Sequence, residues 1–290
     1  PVDGQDLPVL ADVAYTASYR TSHHPNRLAV VADSNRAAAD LLGAWLQGEK
    51  RPYLVAGEAN RASLVESPNI VFVFPGQGSQ WVGMGRELLQ QEPVFRGSIE
   101  RCDQAIQKFT GWSLIEKLTS DQAAEGLASE IDVIQPALFA MQVSLAELWM
   151  SWGIRPRAVV GHSLGEVAAA AIAGALSLEE AAHIICLRSQ LMRRVSGQGA
   201  MAVIGINLEE AENLVKPVEH LVSVGVSNGP RSTVISGDPA AIDQIVGDLD
   251  RQWIFARRVK VDVASHSVQM EPLRAELVSC LSGLQPHACL

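Results

Sequence analysis

The segment Gly161-His162-Ser163-Leu164-Gly165 sets a serine between two glycines, directly after the apolar run Ala158–Val160 and before an alanine-rich stretch. A strand that turns sharply into a helix presents the residue at its apex, and glycines at those two places let the backbone make the turn. The Ser163 hydroxyl would then stand clear of the chain at a helix N-terminus, where free N–H groups favour developing negative charge. This is the setting of a nucleophile elbow, suited to covalent attack on a carbonyl. The competing reading is a serine that merely caps a strand-to-helix turn.

A second turn, Pro75-Gly76-Gln77-Gly78-Ser79-Gln80, follows the apolar run Ile70–Phe74. It lacks both the GxGxxG spacing and the lysine of a phosphate-binding loop. A serine nucleophile needs two N–H donors for its oxyanion, one from the residue after it and one from a neighbouring strand-to-helix loop. Leu164 and Gln77 occupy those places. A tight structural turn is the alternative.

Arg188 is unusual for where it falls. Ser177-Leu178-Glu179-Glu180 reads as a capping box, and the inward positions of the helix it opens are Ala181, Ile185, Arg188, Met192 and Val195. A guanidinium on an apolar stripe is costly unless paired. No acidic residue lies one turn away, and Glu180 is two turns back and engaged in the cap. A carboxylate from outside would satisfy the planar fork bidentately; an aspartate from elsewhere in the fold, or a snorkelling side chain, would also do. Seven histidines compete as base for Ser163. His162 adjoins the serine, but side chains adjacent in an elbow point apart, so it shapes the pocket. His183 lies on the flank of the Ser177 helix, and His23-His24 beside Pro25 reads as a surface turn. His266 follows the alternating run Val259–Val263 and precedes a helix carrying Met270, Leu273 and Leu277. A loop at a strand end suits a base, although such a histidine alone reads equally well as polar surface.

These residues need a scaffold. Leu7–Arg20 and Arg36–Gln47 read as short helices around a strand, Arg27–Val31, and the polar stretch Gly57–Ser67 ending at Pro68 marks a boundary near Ser67. From Ile70 the alternation of buried strands and helices, the elbow helix long among them, predicts a parallel α/β sheet. From Gly199 the period shortens. Met201–Ile206, Val222–Val226, Thr233–Ser236 and Arg257–Val263 read as strands around helices Leu208–Leu214 and Ala240–Arg251, a βαββαβ order that predicts a ferredoxin-like insertion. With 290 residues, 48% hydrophobic and 19% charged, the chain is globular. Its net charge of −9 argues against a nucleic-acid or anionic-membrane surface. Cys102, Cys186, Cys280 and Cys289 show no CxxC pair, which fits a reduced compartment without zinc or disulfides. No leader pattern is present and no apolar run is long enough to span a bilayer, so a cytoplasmic protein is expected. Pro1 begins mid-phrase, as in a piece of something longer.

Taken together, Phe74–Gln80, Gly161–Gly165, Arg188 with Met192, Val226–Pro230 and Val263-Ala264-Ser265-His266 resemble the acyltransferase domain of type I polyketide synthases and the related malonyl transacylases. The resemblance runs from Ile70 to Pro272, and the first 66 residues are similar to the linker between a ketosynthase and its acyltransferase. It implies a hydrolase-like parallel-sheet core, residues 67–198 and 264–290, interrupted by the ferredoxin-like subdomain, 199–263, and preceded by the small α/β linker unit, 1–66. It further implies Ser163 as nucleophile, His266 as base, Gln77 and Leu164 as oxyanion donors, and Arg188 gripping the free carboxylate of an extender unit. His162, Met192, Asn228 and Ser265 would complete the substrate site. No metal or tightly bound cofactor is implied. Acyl-CoA is the donor, the phosphopantetheine thiol of an acyl carrier protein the acceptor, and the ketosynthase a neighbour. Family members continue for several dozen residues beyond the helix after His266, adding sheet structure and backbone contacts that orient the histidine.

In that family a serine before the histidine accompanies methylmalonyl selection, so Ser265 favours methylmalonyl, whereas Leu164 is more often seen with malonyl. Two other readings stand beside this one. A serine hydrolase would take its acid from Asp238 or Asp243 in the order Ser-Asp-His, but has no use for Arg188. A non-catalytic docking module would not need Ser163, His266 and Arg188 together.

Overall fold

The structure is a computed structural model that describes residues 8–58, 69–120 and 129–289. The chain forms two compact units, Pro1–Asn69 and Ile70–Leu290. In the first, helix α1 (Leu10–Tyr15) runs on as a π-helical turn, Thr16–Arg20. Strand β1 (Asn26–Val30) pairs antiparallel with β2 (Leu54–Glu58), and α2 (Asn35–Leu46) connects them. Ser34 caps α2, its Oγ accepting from the Ala37 N–H at 3.2 Å. Strand β2 was missed, because Gly57 and Glu58 read as the start of a polar linker. Leu7 and the boundary near Ser67 lie outside the described residues.

The second unit opens with β3 (Val71–Phe74), followed by α3 (Arg86–Gln91), α4 (Pro93–Thr110), α5 (Leu114–Thr119) and α6 (Ile131–Ser151). Then come β4 (Ala158–Gly161), α7 (Gly165–Ile172) and α8 (Leu178–Arg193). Strands β3 and β4 are parallel, Val71 facing Ala158 and Phe74 facing Gly161. A parallel pair requires a crossover, and helices α3 to α6 lie within it. The core holds Phe95, Ile99, Ile106, Leu114, Phe139, Leu164 and Ile185.

Helix α6 is apolar on nearly every face. By length and composition it could cross a bilayer, contrary to the expectation that no run is long enough, yet 83% of its most apolar window is buried in the protein. It is a core helix. Two further expectations are corrected. Strands β3 and β4 are not buried on both faces, since Val71, Val73 and Val160 are exposed while Phe72, Phe74 and Val159 pack inward. The alanine-rich helix after the elbow is short, eight residues, because α8 restarts under the Ser177–Glu180 capping box after a brief turn.

Beyond α8 lie β5 (Ala200–Ile204), α9 (Leu208–Val215), β6 (Val222–Gly229), β7 (Ser232–Gly237), α10 (Pro239–Arg251) and β8 (Ala256–Arg258). They form an antiparallel sheet in the order β6-β7-β5-β8 with its own core of Ile204, Val222, Ile235, Ile242 and Leu249. The last strand stops at Arg258 instead of running to Val263. The Val259 N–H still bonds the Met201 carbonyl at 2.8 Å, but the Val261 N–H turns back to the Val259 carbonyl at 2.9 Å. The Asp262 carbonyl then accepts the Gly197 N–H at 2.8 Å, which pulls the segment across to the end of α8. Val263 and Ala264 are buried by this detour, and His266 follows them in a loop before α11 (Glu271–Cys280).

Candidate active site

The register of β3 and β4 brings their two following turns together. Phe74 pairs with Gly161, and the His162 N–H donates to the Phe74 carbonyl at 2.9 Å. Ser163 then takes φ +55°, a left-handed conformation that costs a non-glycine residue about 1–3 kcal/mol. The N–H groups of Gly165 and Glu166 close the turn onto the carbonyls of His162 and Ser163, each at 3.0 Å. The strain therefore sits on the serine itself, and the flanking glycines serve a different purpose from the one expected. A Cβ on Gly165 would lie 2.1 Å from the Phe74 carbonyl oxygen, and one on Gly161 would lie 2.3 Å from the Glu166 Cα. Only glycine lets α7 approach the strand ends this closely.

Ser163 Oγ lies 2.9 Å from His266 Nε2 across 103 positions of sequence. His266 also has positive φ, +61°, so both partners are held in strained conformations by the packing around them. Burial pulls the His266 imidazole below its ordinary value, the charges of Arg188 and His162 add to this, and Glu166 opposes them. These effects favour the neutral imidazole, the form able to accept the hydroxyl proton. His162 donates from Nε2 to Asn228 Oδ1 on β6 at 3.2 Å. A Cβ on Gly76 would lie 2.8 Å from its Nδ1, so only glycine lets the turn come this close. His162 thus braces the glycine-rich turn against the four-stranded sheet.

Arg188 is half-buried, and its Nη1 donates to Gln135 Oε1. Gln135, only 2% exposed on α6, reaches with Nε2 to Gln77 Oε1 at 3.3 Å and to the Met192 sulfur at 3.7 Å. Burial draws the guanidinium below its ordinary value and the negative charge of Glu166 pushes it back up. No carboxylate comes within ion-pair distance of Arg188 among the described residues, in contrast to Arg193, which meets Asp132 at 2.6 Å. Arg188, Met192, Ser265 and His266 line one cavity of about 310 Å³ together with Met270, Leu273, Leu277 and Glu271, the last paired with Arg274 at 3.7 Å. Leu164 is buried. Among the described residues, the backbone N–H groups of Gln77 and Leu164 make no hydrogen bond.

All nine residues singled out in the sequence lie in this region of the second unit. Gln135 was missed; the only signal was a polar residue within the otherwise apolar run Ile134–Ala140. The other histidine considered on α8, His183, stacks on Phe109 at 4.6 Å. Asp238 caps α10 by accepting the Ala241 N–H at 2.9 Å, and Asp243 holds Arg258 at 2.8 Å, so both candidate acids of a hydrolase triad are engaged elsewhere. No group of three or more His, Cys, Asp or Glu suited to a metal is found among the described residues.

The chain as a whole also resembles known proteins. Residues 71–289 match the family model described as "Acyl transferase domain". The mycoketide-CoA synthase of Mycobacterium tuberculosis (strain ATCC 25618 / H37Rv) is 41% identical over 287 residues, which is 99% of this chain and 7% of that protein. Erythronolide synthase EryA2 of Saccharopolyspora erythraea is 42% identical over 284 residues, 96% of this chain and 8% of the relative. The chain therefore spans less than a tenth of either synthase. Among solved structures, the acyltransferase domain from module 8 of the salinomycin polyketide synthase superposes with a TM-score of 0.88 at 38% identity, covering 99% of this chain and 66% of that one.

Proposed function

Since this chain belongs to the acyl transferase domain family found in modular polyketide synthases, we propose that it loads an extender unit from acyl-CoA onto an acyl carrier protein through an ester on Ser163. The observation that carries the reading is the 2.9 Å contact between Ser163 Oγ and His266 Nε2, made beside an arginine that has no carboxylate partner among the described residues. His266 takes the proton of Ser163 as its oxygen attacks the thioester carbonyl. The oxyanion rests on the Gln77 and Leu164 amides. Its collapse breaks the C–S bond, and the proton passes from His266 to the departing CoA thiolate. An acyl-serine remains. The phosphopantetheine thiol of the carrier then gives its proton to His266 and attacks the ester; the C–O bond to Ser163 breaks and His266 returns the proton to Ser163 Oγ. Arg188, steadied by Gln135, holds the free carboxylate of the acyl group in both halves, with Met192, Ser265, His162 and Asn228 shaping the remainder of the site.

Ser265 in place of a bulky residue favours methylmalonyl over malonyl, since a methyl branch needs room at that wall; one methylene is worth only about 1–3 kcal/mol of discrimination. The fold reading that accompanies this function is a hydrolase-like core, 67–198 and 264–290, with a ferredoxin-like insertion, 199–263, which the order β6-β7-β5-β8 supports. Residues 1–66 are read as the linker from a neighbouring ketosynthase. Acyl-CoA donors place the reaction in the cytoplasm.

The test is intact-protein mass spectrometry after mixing with malonyl-CoA and methylmalonyl-CoA in competition. A stable methylmalonyl adduct that vanishes in Ser163→Ala is expected. Free acid without an adduct would identify a hydrolase, and no reaction at all a docking module.

A further inference from the structure

The cavity that holds Arg188 and His266 is larger than a methylmalonyl group needs, and its surplus is lined by hydrocarbon. Of its volume of about 310 Å³, the part away from the reacting groups lies between Leu191 of α8 and Met270, Leu273 and Leu277 at and along α11. Leu191 is buried and the other three are half-buried. Their spacing is set by a clamp: Arg194, at the end of α8, grips Glu276 of α11 with both terminal nitrogens, at 2.6 and 2.9 Å. Leu191 lies one turn before Arg194, and Leu273 and Leu277, four apart, share one face of α11. Met270 packs against the buried Ile131, Met192 and Val263. Glu271 and Arg274, largely exposed and paired at 3.7 Å, mark the end that meets solvent.

The two ends of a bound extender fix which of its atoms faces this space. With the free carboxylate on Arg188 and the carbonyl carbon at Ser163 Oγ, the carbon between them lies beside His266. Gln77 and Leu164 take the oxyanion on another side, since neither lines the cavity. A substituent on the middle carbon therefore has the cavity before it. A methylene takes up the space of one water in the liquid, about 30 Å³, so a methyl branch fills roughly a tenth of the cavity and a five-carbon branch roughly half. Water is a poor occupant, because it needs about two to four polar partners and these leucine and methionine side chains supply none of quality. We propose that the cavity seats the 2-alkyl substituent of the extender, and that the chain accepts 2-alkylmalonyl thioesters with unbranched substituents of about three to five carbons. Methylmalonyl is then the short end of the range. The proposal rests on the acyl-transfer reading above and names a wider substrate class for the same site.

The experiment is a series of synthetic 2-alkylmalonyl-CoA donors, methyl, propyl, butyl, hexyl and octyl, with the acyl-serine followed by intact mass in single turnovers and in competition. From methyl to butyl, kcat/KM should rise about two- to fourfold per methylene, burial outweighing the ordering of the chain. It should level off in the hexyl and octyl donors, whose tails pass Glu271 and Arg274 into solvent. Leu273→Trp fills the space, and the butyl-to-methyl ratio in competition should fall about tenfold or more. A steady loss with each added carbon in the parent protein would overturn the proposal, as would an unchanged ratio in a Leu273→Trp protein that keeps the parent's circular dichroism. The parent series needs no variant, so it decides the matter even if Leu273→Trp does not fold. Labelling by methylmalonyl-CoA with none by the propyl and butyl donors removes the wider pocket and leaves acyl transfer in place. If no donor labels Ser163, it is the acyl-transfer reading that fails.

Discussion

Replacing Arg188 by alanine separates a transferase for dicarboxylic extenders from an acyl-serine enzyme of broader taste. The guanidinium is half-buried, its one hydrogen-bond partner among the described residues is the neutral Gln135, and no described carboxylate pairs with it. Truncating one side of a buried, hydrogen-bonded charge pair costs about 2–5 kcal/mol. With Arg188 still partly open to solvent, about 3 kcal/mol is the appropriate figure, or roughly two orders of magnitude in kcat/KM for methylmalonyl-CoA. Propionyl-CoA differs only in lacking the carboxylate. In the parent protein it must leave a poorly solvated cation unmatched, and the variant removes that penalty. The loss of a hydrogen bond at Gln135, about 1 kcal/mol, falls on both donors alike and cancels in their ratio. Single-turnover acyl-enzyme formation, followed by intact mass with each donor, reads the ratio directly. It should fall from roughly a hundred or more toward unity. A variant that keeps its preference for methylmalonyl-CoA over propionyl-CoA would show that Arg188 is structural, and the extender-unit reading would lose its main support.

Two further outcomes follow from the elbow and from the base. Gly165→Ala places a methyl 2.1 Å from the Phe74 carbonyl oxygen, a clash with backbone that no rotamer relieves, so thermal stability should drop by about 1–3 kcal/mol or more and Ser163 labelling should be lost; an unchanged melting temperature would refute the close approach. Because burial and the charges of Arg188 and His162 lower the His266 imidazole, and the reaction needs its neutral form, kcat/KM should hold below the ordinary histidine value of about 6.5 and fall only as pH drops through the lowered one. A substrate carboxylate on Arg188 cancels one of those charges, so the acid limb of kcat, which reports the loaded enzyme, should lie at higher pH than that of kcat/KM. With propionyl-CoA the two limbs should stay together, and limbs that separate equally for both donors would count against the coupling.

The scaffold was legible where one local rule governs. The capping box at Ser177 and Glu180, the strand-to-helix turn at Ser163 and the change of period at Gly199 each depend on neighbours in sequence, and each is present. The misses came from tertiary context. Apolar runs at Val71–Phe74 and Ala158–Gly161 cannot reveal that helices cover only one face of their sheet. The alternation Val259–Val263 is a good strand pattern, overridden because the Asp262 carbonyl bonds Gly197 and Gly199 instead of extending the ladder. That override matters for function, since a strand continued to Val263 would carry His266 onward along β8 instead of across to Ser163.

The site divides along the same line. Ser163, His266 and Arg188 were legible because each breaks a pattern in its own segment: a serine between glycines, a histidine at a strand end, a cation on an apolar stripe. Gln135 and Glu166 break none that periodicity can register; one contacts Arg188 and the other opposes the burial that lowers Arg188 and His266. Gln135 holds Arg188 without neutralising it. A carboxylate in its place would pair with the guanidinium and remove the reason for a substrate carboxylate to bind. A hydrocarbon would leave the Nη1 donor unsatisfied at a cost of about 1–3 kcal/mol. A neutral acceptor is the one choice that orients the fork and keeps its charge available. Glu166, in the first turn of α7, works in the opposite sense, raising both Arg188 and His266 against the desolvation that lowers them. Its charge opposes the effect of burial on both groups without forming a salt bridge to Arg188 among the described residues. Spacing located the groups that react, but the balance between them depends on residues brought together only by folding.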